Sequence, residues 1–469
     1  MAYQMGDRKQ RQLLPSSVEE FVSADDPARA YDAFAECLDL AALGFEIDPH
    51  RVGRPEFDPR SMLKLLVYGY AYGIRSSRKL ERATHHNLSF VWLMGGLKPD
   101  HKTIARFRRD HREALAHVLR QCAQVCLRLG LIEGNTLFVD GTKVRANASI
   151  KHTWTEKRCA QSLQQIDERI ESILHECEQI DETEQHSARA ERLPLRLQAQ
   201  QRLRSEIQAV LQQLQSTERS AINTTDPDAG RMRTGTQIEP GYNCQSVVDD
   251  QYGLIVHADV LNAGNDVGQF AAQIDQAQET LGRHCETACA DAGYSSPADL
   301  ETVLDQGVDV VVPIVRHSDF RDHFRFDAAR NEYVCPEGHR LAYLTTHADH
   351  KSDIYAMRNA STCVSCPRFG NCTRSRQGRR VERPYSEAVR ERLEQRNRQP
   401  SATLLMRRRK MRAEHPFGHI KHNLGMRTFL LRSRSGVRAE MALAATAFNL
   451  RRMMSLLGIA GLINQLRSQ

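Results

Sequence analysis

The sequence predicts a mixed α/β fold preceded by an all-helical N-terminal region. Residues from about 55 to 130 carry apolar side chains at helical spacing, as at Leu63, Leu66 and Tyr70. From Thr136 onward, short apolar runs alternate with turn residues and a helical stretch, which is typical of a mixed sheet. With 469 residues, of which 41% are hydrophobic, the chain is long and apolar enough for about two to four domains.

The N-terminal helices are predicted to carry their positive charges outward. Ser76 or Ser77 can cap one helix and Asp100 another, because these side chains accept hydrogen bonds from the free N–H groups at a helix start. Short helices with basic outer faces suit a module that binds a nucleic-acid groove, and a plain helical support domain is the alternative. Residues 1–130 are assigned to this domain. Its polar outer side chains are expected to include Arg78, Lys79, Lys102, Arg106 and Arg108.

Five strands are predicted in the middle of the chain. The segment TLFVDGTKV indicates a short buried strand that ends at Asp140. YNCQSVVDD and GLIVHADVL indicate two strands joined by a tight turn at residues 250–253. The strand TACA leads to Asp291 and is followed by a helix, and the apolar run Val308 to Ile314 is typical of a central strand.

Two segments are expected to interrupt this sheet domain. Residues 157–219 are rich in Gln, Glu, Arg and Leu, and their apolar spacing predicts a helical hairpin or short coiled coil. Residues 319–383 are polar, contain cysteines and show little periodicity or apolar core. The stretch from Val437 to Leu457 is expected to be a buried closing helix. The sheet domain is therefore assigned to residues 131–156, 220–318 and 384–469.

The charge distribution favours one class of partner, and the absence of targeting signals argues against secretion and membrane insertion. Between Thr373 and Ser435 the sequence has eighteen Lys and Arg residues against five Glu and no Asp, which favours a polyanionic partner, with a solvated helix face as the alternative. The N-terminus lacks the apolar stretch of a signal peptide. No run of about 18 apolar residues occurs, so neither a membrane-spanning helix nor a membrane partner is expected, and a cytoplasmic location is predicted.

Asp140 and Asp291 are candidate catalytic residues because of where they stand in the sequence. Each follows a predicted buried strand, where a carboxylate beside an open crevice serves chemistry in α/β sheets, although such aspartates also act as turn caps. Two such carboxylates suit Mg²⁺ or Mn²⁺, and a third would complete a site for two ions.

Glu414 is the candidate third carboxylate. It is the only acidic residue between Glu394 and Glu440. On one helix it shares a face with Arg407, Lys410 and, if the helix continues past Pro416, Lys421. These cations favour the ionised carboxylate and could bind phosphates of DNA, whereas a surface ion-pair helix is the plain alternative.

Four cysteines form a separate candidate metal site. Cys335, Cys363, Cys366 and Cys372 are separated by 27, 2 and 5 residues. A structural zinc site usually has two close pairs of ligands, and this segment has one. Bound Zn²⁺, reduced buried thiols and a redox role therefore remain the three interpretations.

Several motifs together resemble the DDE-type transposases of bacterial insertion sequences. They are FVDGTKVRANAS, TDPDAG, GYNCQSVVDD, ADAGYSS and AEHPFGHIKHNLGMRTFLLRS, with GRPEFDPRSMLKLLVYGYAYGIRSSRKLER and PDHKTIARFRR in the N-terminal region. The resemblance implies an RNase H-like catalytic domain in which Asp140 ends the first strand, Asp291 ends the fourth and Glu414 lies on a later helix. It implies two Mg²⁺ or Mn²⁺ ions held by these carboxylates, and relatives also carry Cys-bearing insertions.

The resemblance is incomplete around Glu414. Some members have a Tyr, Arg, Glu, Lys signature there. Lys421 occupies its last position, but Lys410 stands where Arg is expected and Arg407 where Tyr is expected. Lys410 keeps the charge of Arg without its planar fork.

The function implied by the resemblance is DNA transposition. Such an enzyme binds the terminal inverted repeats of its element, cleaves a strand to free a 3′-hydroxyl and joins it to target DNA. A dimer or larger assembly on nucleoid DNA is expected, with the helical hairpin as a candidate contact. The alternatives are an RNase H-like nuclease without joining activity and a non-catalytic DNA-binding regulator.

Overall fold

A computed structural model describes residues 17–46, 56–183, 193–217, 219–234, 237–314, 323–348 and 351–468. The first 16 residues, and parts of the predicted helical hairpin and Cys-bearing segment, lie outside these ranges. The described helices are α1 (Pro27–Glu36), α2 (Leu40–Leu43), α3 (Pro59–Ala71), α4 (Ser77–His86), α5 (Leu88–Leu93), α6 (His101–Asp110), α7 (Arg112–Arg128), α8 (Glu156–Thr183), α9 (Leu193–Thr217), α10 (Phe270–Leu281), α11 (Pro297–Asp305), α12 (Ala360–Val364), α13 (Glu387–Asn397), α14 (Pro400–His422), α15 (Arg434–Leu457) and α16 (Ile459–Arg467). The described strands are β1 (Thr136–Arg145), β2 (Thr153–Trp154), β3 (Ile222–Asn223), β4 (Gly230–Thr234), β5 (Gln237–Asp249), β6 (Ile255–Leu261), β7 (Thr287–Cys289), β8 (Asp309–Val311), β9 (Arg325–Asp327), β10 (Glu332–Val334), β11 (Arg340–His347), β12 (Ser352–Met357) and β13 (Arg380–Pro384).

The described residues before β1 form helices and no strand. Asp100 caps α6 by accepting a hydrogen bond from the N–H of Thr103 at 2.6 Å. Ser76 precedes α4 without a side-chain capping bond. Arg108 is not on the outer face as predicted: it is 2% exposed, and its Nη2 donates to the carbonyl oxygen of Arg75 at 2.6 Å. A guanidinium can be buried there because a backbone acceptor satisfies part of it.

Within the described ranges the main sheet has six strands: five follow the order β4-β5-β1-β7-β8, and β6 pairs with β5. β1 runs antiparallel to β5 and parallel to β7. The prediction that the first strand ends at Asp140 is wrong, because β1 continues to Arg145. Its pairing with β5 extends from Leu137 opposite Asp249 to Arg145 opposite Gly241. The backbone ladder therefore carries the strand past its polar residues.

The apolar run at β8 lies at the sheet edge, not at its centre as predicted. Helix α13 packs against this edge. Arg396 forms two hydrogen bonds to the Asp309 carboxylate at 2.7 and 2.6 Å, and Asn397 donates to the Val312 carbonyl oxygen at 2.7 Å. Helices α11 and α14 also contact β8, and the successive residues Val310 and Val311 are both buried, so the sequence of this edge strand resembles that of a central strand.

Helices α8 and α9 pack along each other through an apolar seam. Cys159 and Ile166 of α8 lie in one cluster with Ile207 and Leu214 of α9. The short β2–β3 pair lies where the two helices join the rest of the chain. The helical spacing of the sequence thus corresponds to two long helices.

The Cys-bearing segment has a core of its own, contrary to the expectation from its polar composition. Strands β9 to β13 form a five-stranded antiparallel sheet among the described residues. Tyr333, Leu341, Tyr355 and Val381 are buried in one cluster, and the rings of Tyr333 and Tyr355 are 5.2 Å apart. A few large aromatic side chains supply the apolar area that a longer aliphatic pattern would otherwise provide.

One hydrophobic core joins the N-terminal helices to the main sheet. Helix α15 packs against α3, α7 and β6 and is buried on nearly every side, as predicted. Asn449 bonds both the N–H and the carbonyl oxygen of Ile255, at 2.9 and 2.8 Å. Arg75 bonds the buried Glu440 at 2.8 Å. The domain boundaries expected from the sequence stay predictions.

Candidate active site

Asp140 and Asp291 lie side by side because β1 and β7 are neighbouring parallel strands. Their register pairs Phe138 with Cys289, and two residues further along each chain stand Asp140 and Asp291. Residues two apart in an extended chain point to the same face. The Asp140 side chain is 11% exposed and that of Asp291 is 47% exposed. One predicted carboxylate is therefore buried, and the other opens toward solvent.

The guanidinium of Arg409 bridges the two aspartates. Its Nη2 lies 2.8 Å from Asp140 Oδ1 and 3.3 Å from Asp291 Oδ2. Its Nε donates to the carbonyl oxygen of Val139 at 3.3 Å. The Arg409 side chain is only 6% exposed. Since buried carboxylates are costly without a neighbouring cation, Arg409 stabilises the closely placed pair.

Arg409 reaches the aspartates because it lies on the buried face of α14. Ala402, Ala413 and Ile420 occupy the same face at helical spacing. Sequence reasoning missed Arg409 because it stands in a run of four cations, of which the other three are exposed. The apolar spacing of α14 was the signal that could have singled it out.

The burial of Asp140 alters its acidity. Burial raises the pKa of Asp140 to about 6. The Arg409 cation opposes that rise, while the negative charges of Asp291 and Glu414 add to it. A further cation at the pair would favour ionised Asp140 in the same way as Arg409.

Glu414 lies on the same helix but does not touch the two aspartates. Its side chain is exposed, as are those of Arg407 and Lys410. Its charge is near enough to raise the pKa of Asp140. The helix continues through Pro416, as required for Lys421 to share this face. Thus only part of the predicted triad is in contact.

Lys421 does reach the strand that carries Asp140. Its Nζ donates to Thr142 Oγ1 at 2.5 Å. Thr142 is two residues beyond Asp140 and therefore points to the same face of β1. Burial lowers the pKa of Lys421, and the negative charge of Asp140 opposes that change. A cation is thus held beside the carboxylates.

A polar cluster supports β1 from its other face, at Gly141. Asp266 Oδ1 accepts hydrogen bonds from Asn243 at 2.8 Å and from Gln245 at 2.7 Å, and the Tyr294 hydroxyl donates to Gln245. A Cβ atom on Gly141 would lie 2.6 Å from Asp266 Oδ1 and 2.9 Å from the Tyr294 hydroxyl. Glycine is therefore required there by close approach. Sequence reasoning missed this cluster because its members are distant in sequence.

The predicted DNA-binding cations of the N-terminal region lie on two helices that pack together, α4 and α6. The side chains of Arg78, Lys79, Lys102 and Arg106 are all exposed. Exposed cations on adjacent helices are available to contact phosphates.

The four predicted cysteine ligands surround one small cavity of about 20 Å³. Cys335 and Cys363 each begin a tight turn, with the Gly338 N–H bonding the Cys335 carbonyl oxygen at 2.9 Å and the Cys366 N–H bonding that of Cys363 at 3.2 Å. Burial raises the pKa of the Cys372 thiol, and the other three sulfurs add to the rise. The cavity is about the size of one water molecule.

Neither predicted metal site is preassembled. The described ranges contain no group of three or more His, Cys, Asp or Glu side chains arranged to hold an ion. The donor chemistry nevertheless fits a hard divalent cation at Asp140 and Asp291, since a buried cation already bridges their oxygens.

Two parts of the chain match transposase families. Residues 16–110 match a transposase domain (DUF772), and residues 334–454 match a transposase DDE domain. These matches identify the chain as a DDE-type transposase of the insertion-sequence kind. The second match includes Glu414, Lys421 and the four cysteines, whereas Asp140 and Asp291 lie between the two matched regions. No curated protein and no solved structure matches the transposase in these comparisons. None of its described helices is long and apolar enough to span a membrane.

Proposed function

We propose that this transposase binds the terminal inverted repeats of its insertion sequence and catalyses metal-dependent strand cleavage and strand transfer. The observation that carries the proposal is the placement of Asp140 on β1 and of Asp291 just beyond the adjacent parallel strand β7, around a buried cation. In this proposal the main sheet belongs to an RNase H-like catalytic domain, and the α8–α9 pair and the Cys-bearing segment are insertions.

Asp140, Asp291 and Glu414 are the proposed holders of two Mg²⁺ or Mn²⁺ ions. Bound metal would activate a water or a 3′-hydroxyl and stabilise the leaving oxygen of a phosphodiester. Asp140 fixes one side of the site because it lies within β1, where the residues before and after it also pair with β5. Glu414 has to approach the pair from its exposed position on α14.

The cations around the pair are the proposed DNA-binding groups. Lys421 is held on the face of β1 that carries Asp140, where its ammonium can bind a phosphate beside the cut. Arg407 and Lys410 are exposed on α14 and extend this positive surface. The exposed cations of α4 and α6 would contact phosphates further along the repeat.

Paired cleavage and joining assays test this function. One duplex carries an intact terminal repeat and the other a pre-cut repeat end with a free 3′-hydroxyl, each with target DNA and Mg²⁺ or Mn²⁺. We expect cleavage of the first and joining of the second. Cleavage without a joined product would indicate a nuclease, and binding without either reaction would indicate a regulator.

A dimer held in part by the α8–α9 pair is the proposed assembly. Leu174 and Leu195 on this pair are 45% and 67% exposed, which leaves apolar area for a second copy. Replacing both with Glu should lower the apparent mass by light scattering and reduce pairing of two repeat ends. An unchanged mass and unchanged pairing would exclude this contact.

A further inference from the structure

We propose that Arg409 is an internal counter-ion that holds Asp140 and Asp291 together until a divalent metal ion displaces it. This inference rests on the proposed function, in which these two aspartates bind the metal. It assigns Arg409 the role of a positioning residue whose release is part of metal loading.

The geometry places the guanidinium where the metal would have to bind. One atom, Nη2, contacts one oxygen of each aspartate, at 2.8 and 3.3 Å. A Mg²⁺ ion bound by the same two oxygens needs distances of about 2.0–2.1 Å to both. The ion and the guanidinium therefore cannot occupy the space between Asp140 Oδ1 and Asp291 Oδ2 together.

Charge explains why a resident cation is present. The neighbouring carboxylates of Asp140 and Asp291 repel each other, and Asp140 is also buried. The Arg409 cation is more buried than Asp140, and besides its contacts with the two carboxylates its Nε donates a long hydrogen bond to the Val139 carbonyl oxygen. The two aspartates thus provide its charge compensation, and a divalent ion competes for that same interaction.

Arg408 provides a matched control on the same helix. It is the preceding residue, it has the same side chain, and it also pairs with a buried aspartate, Asp250. Its own side chain is 46% exposed. Removing Arg408 therefore tests the loss of one arginine and one ion pair without opening the Asp140–Asp291 pair.

The test is a Mn²⁺ titration of the purified full-length protein without DNA, followed by calorimetry and by the electron paramagnetic resonance of free Mn²⁺. We expect Arg409→Gln to bind Mn²⁺ about tenfold more tightly than the wild type. The reason is that the guanidinium that competes with the ion for the carboxylate oxygens has been removed. Arg408→Gln should bind like the wild type. Equal or weaker binding by Arg409→Gln would overturn the proposal.

Two further variants keep the outcome decisive. Asp140→Asn should abolish the binding, and if it does not, the metal site of the proposed function has failed rather than the role of Arg409. If Arg409→Gln does not fold, Arg409→Lys decides, since it keeps the charge but loses the planar fork. Arg409→Lys should bind Mn²⁺ more tightly than the wild type, and unchanged or weaker affinity again overturns the proposal.

Discussion

The carboxylate pair and the cysteine cavity are two candidate metal sites that differ in how the fold positions their ligands and in whether a cation of the protein neutralises them. Asp140 and Asp291 are charged groups positioned by strand register, and a buried arginine already bridges them. The four cysteines are positioned by turns around a cavity of about 20 Å³. Burial raises the pKa of the Cys372 thiol and so favours its neutral form, which needs no resident cation. Before metal binds, the carboxylate pair is stabilised by a cation of the protein, whereas the neutral Cys372 thiol needs none.

The largest expected effect is the loss of catalysis on changing Asp140. Asp140→Asn should lower strand cleavage by about 10³-fold or more, since removing a metal-binding carboxylate costs several kcal/mol of transition-state stabilisation. Cleavage of a terminal-repeat duplex measures it. Asp250→Asn is the control, because Asp250 is also buried and pairs with the arginine next to Arg409. Equal losses in the two variants would mean that Asp140 acts through folding alone.

The cysteine cavity yields the second prediction. We expect the purified protein to contain about one zinc ion per chain, with the thiols turned toward the cavity as thiolates. Cys363→Ser with Cys366→Ser should remove that zinc and lower the melting temperature, as should a strong chelator. Cys177→Ser, on α8 and remote in sequence from the cavity, is the control. A zinc-free wild type with four reactive thiols would instead support the reduced-thiol interpretation.

A smaller effect is expected behind the carboxylate pair. Gly141→Ala should destabilise the fold by about 1–3 kcal/mol, because the new Cβ would overpack against hydrogen-bonded atoms of Asp266, Gln245 and Tyr294. Urea unfolding measures it. Gly264→Ala is the control, since its Cβ would meet nothing within 4 Å. If both variants unfold at the same urea concentration, the polar cluster rearranges to accept the Cβ at little cost, and the predicted overpacking is wrong.

The smallest effect concerns the cation beside the pair. Lys421→Met should reduce cleavage about tenfold, the rate equivalent of about 1.4 kcal/mol, through loss of one phosphate contact. Unfolding should change little because Lys421 makes one side-chain bond, to Thr142. Lys157→Met, exposed on α8, should cleave normally. A full loss of activity in Lys421→Met would point to a role in the chemical step itself.

The sequence was sufficient for local patterns and insufficient for sheet order. Short apolar runs and turn residues located the strands before Asp140 and Asp291. That these two strands are parallel neighbours is known only from the structure. The sequence could not show that β8 is an edge strand, because α11, α13 and α14 pack against it and residues on both its faces are buried. The sequence did not single out Arg409 either, because a cation within a basic run is expected to be exposed unless its contacts with distant residues are known.

The placement of α15 has a consequence for how the chain matures during synthesis. Its partners α3 and α7 are complete by residue 128, but α15 begins only at residue 434, after 305 intervening residues. At a translation rate of about 5–20 residues per second, the N-terminal helices emerge roughly 15–60 seconds before the helix that fills their core. During that interval their apolar faces remain uncovered by α15. The newly made N-terminal part is therefore where chaperone binding should concentrate.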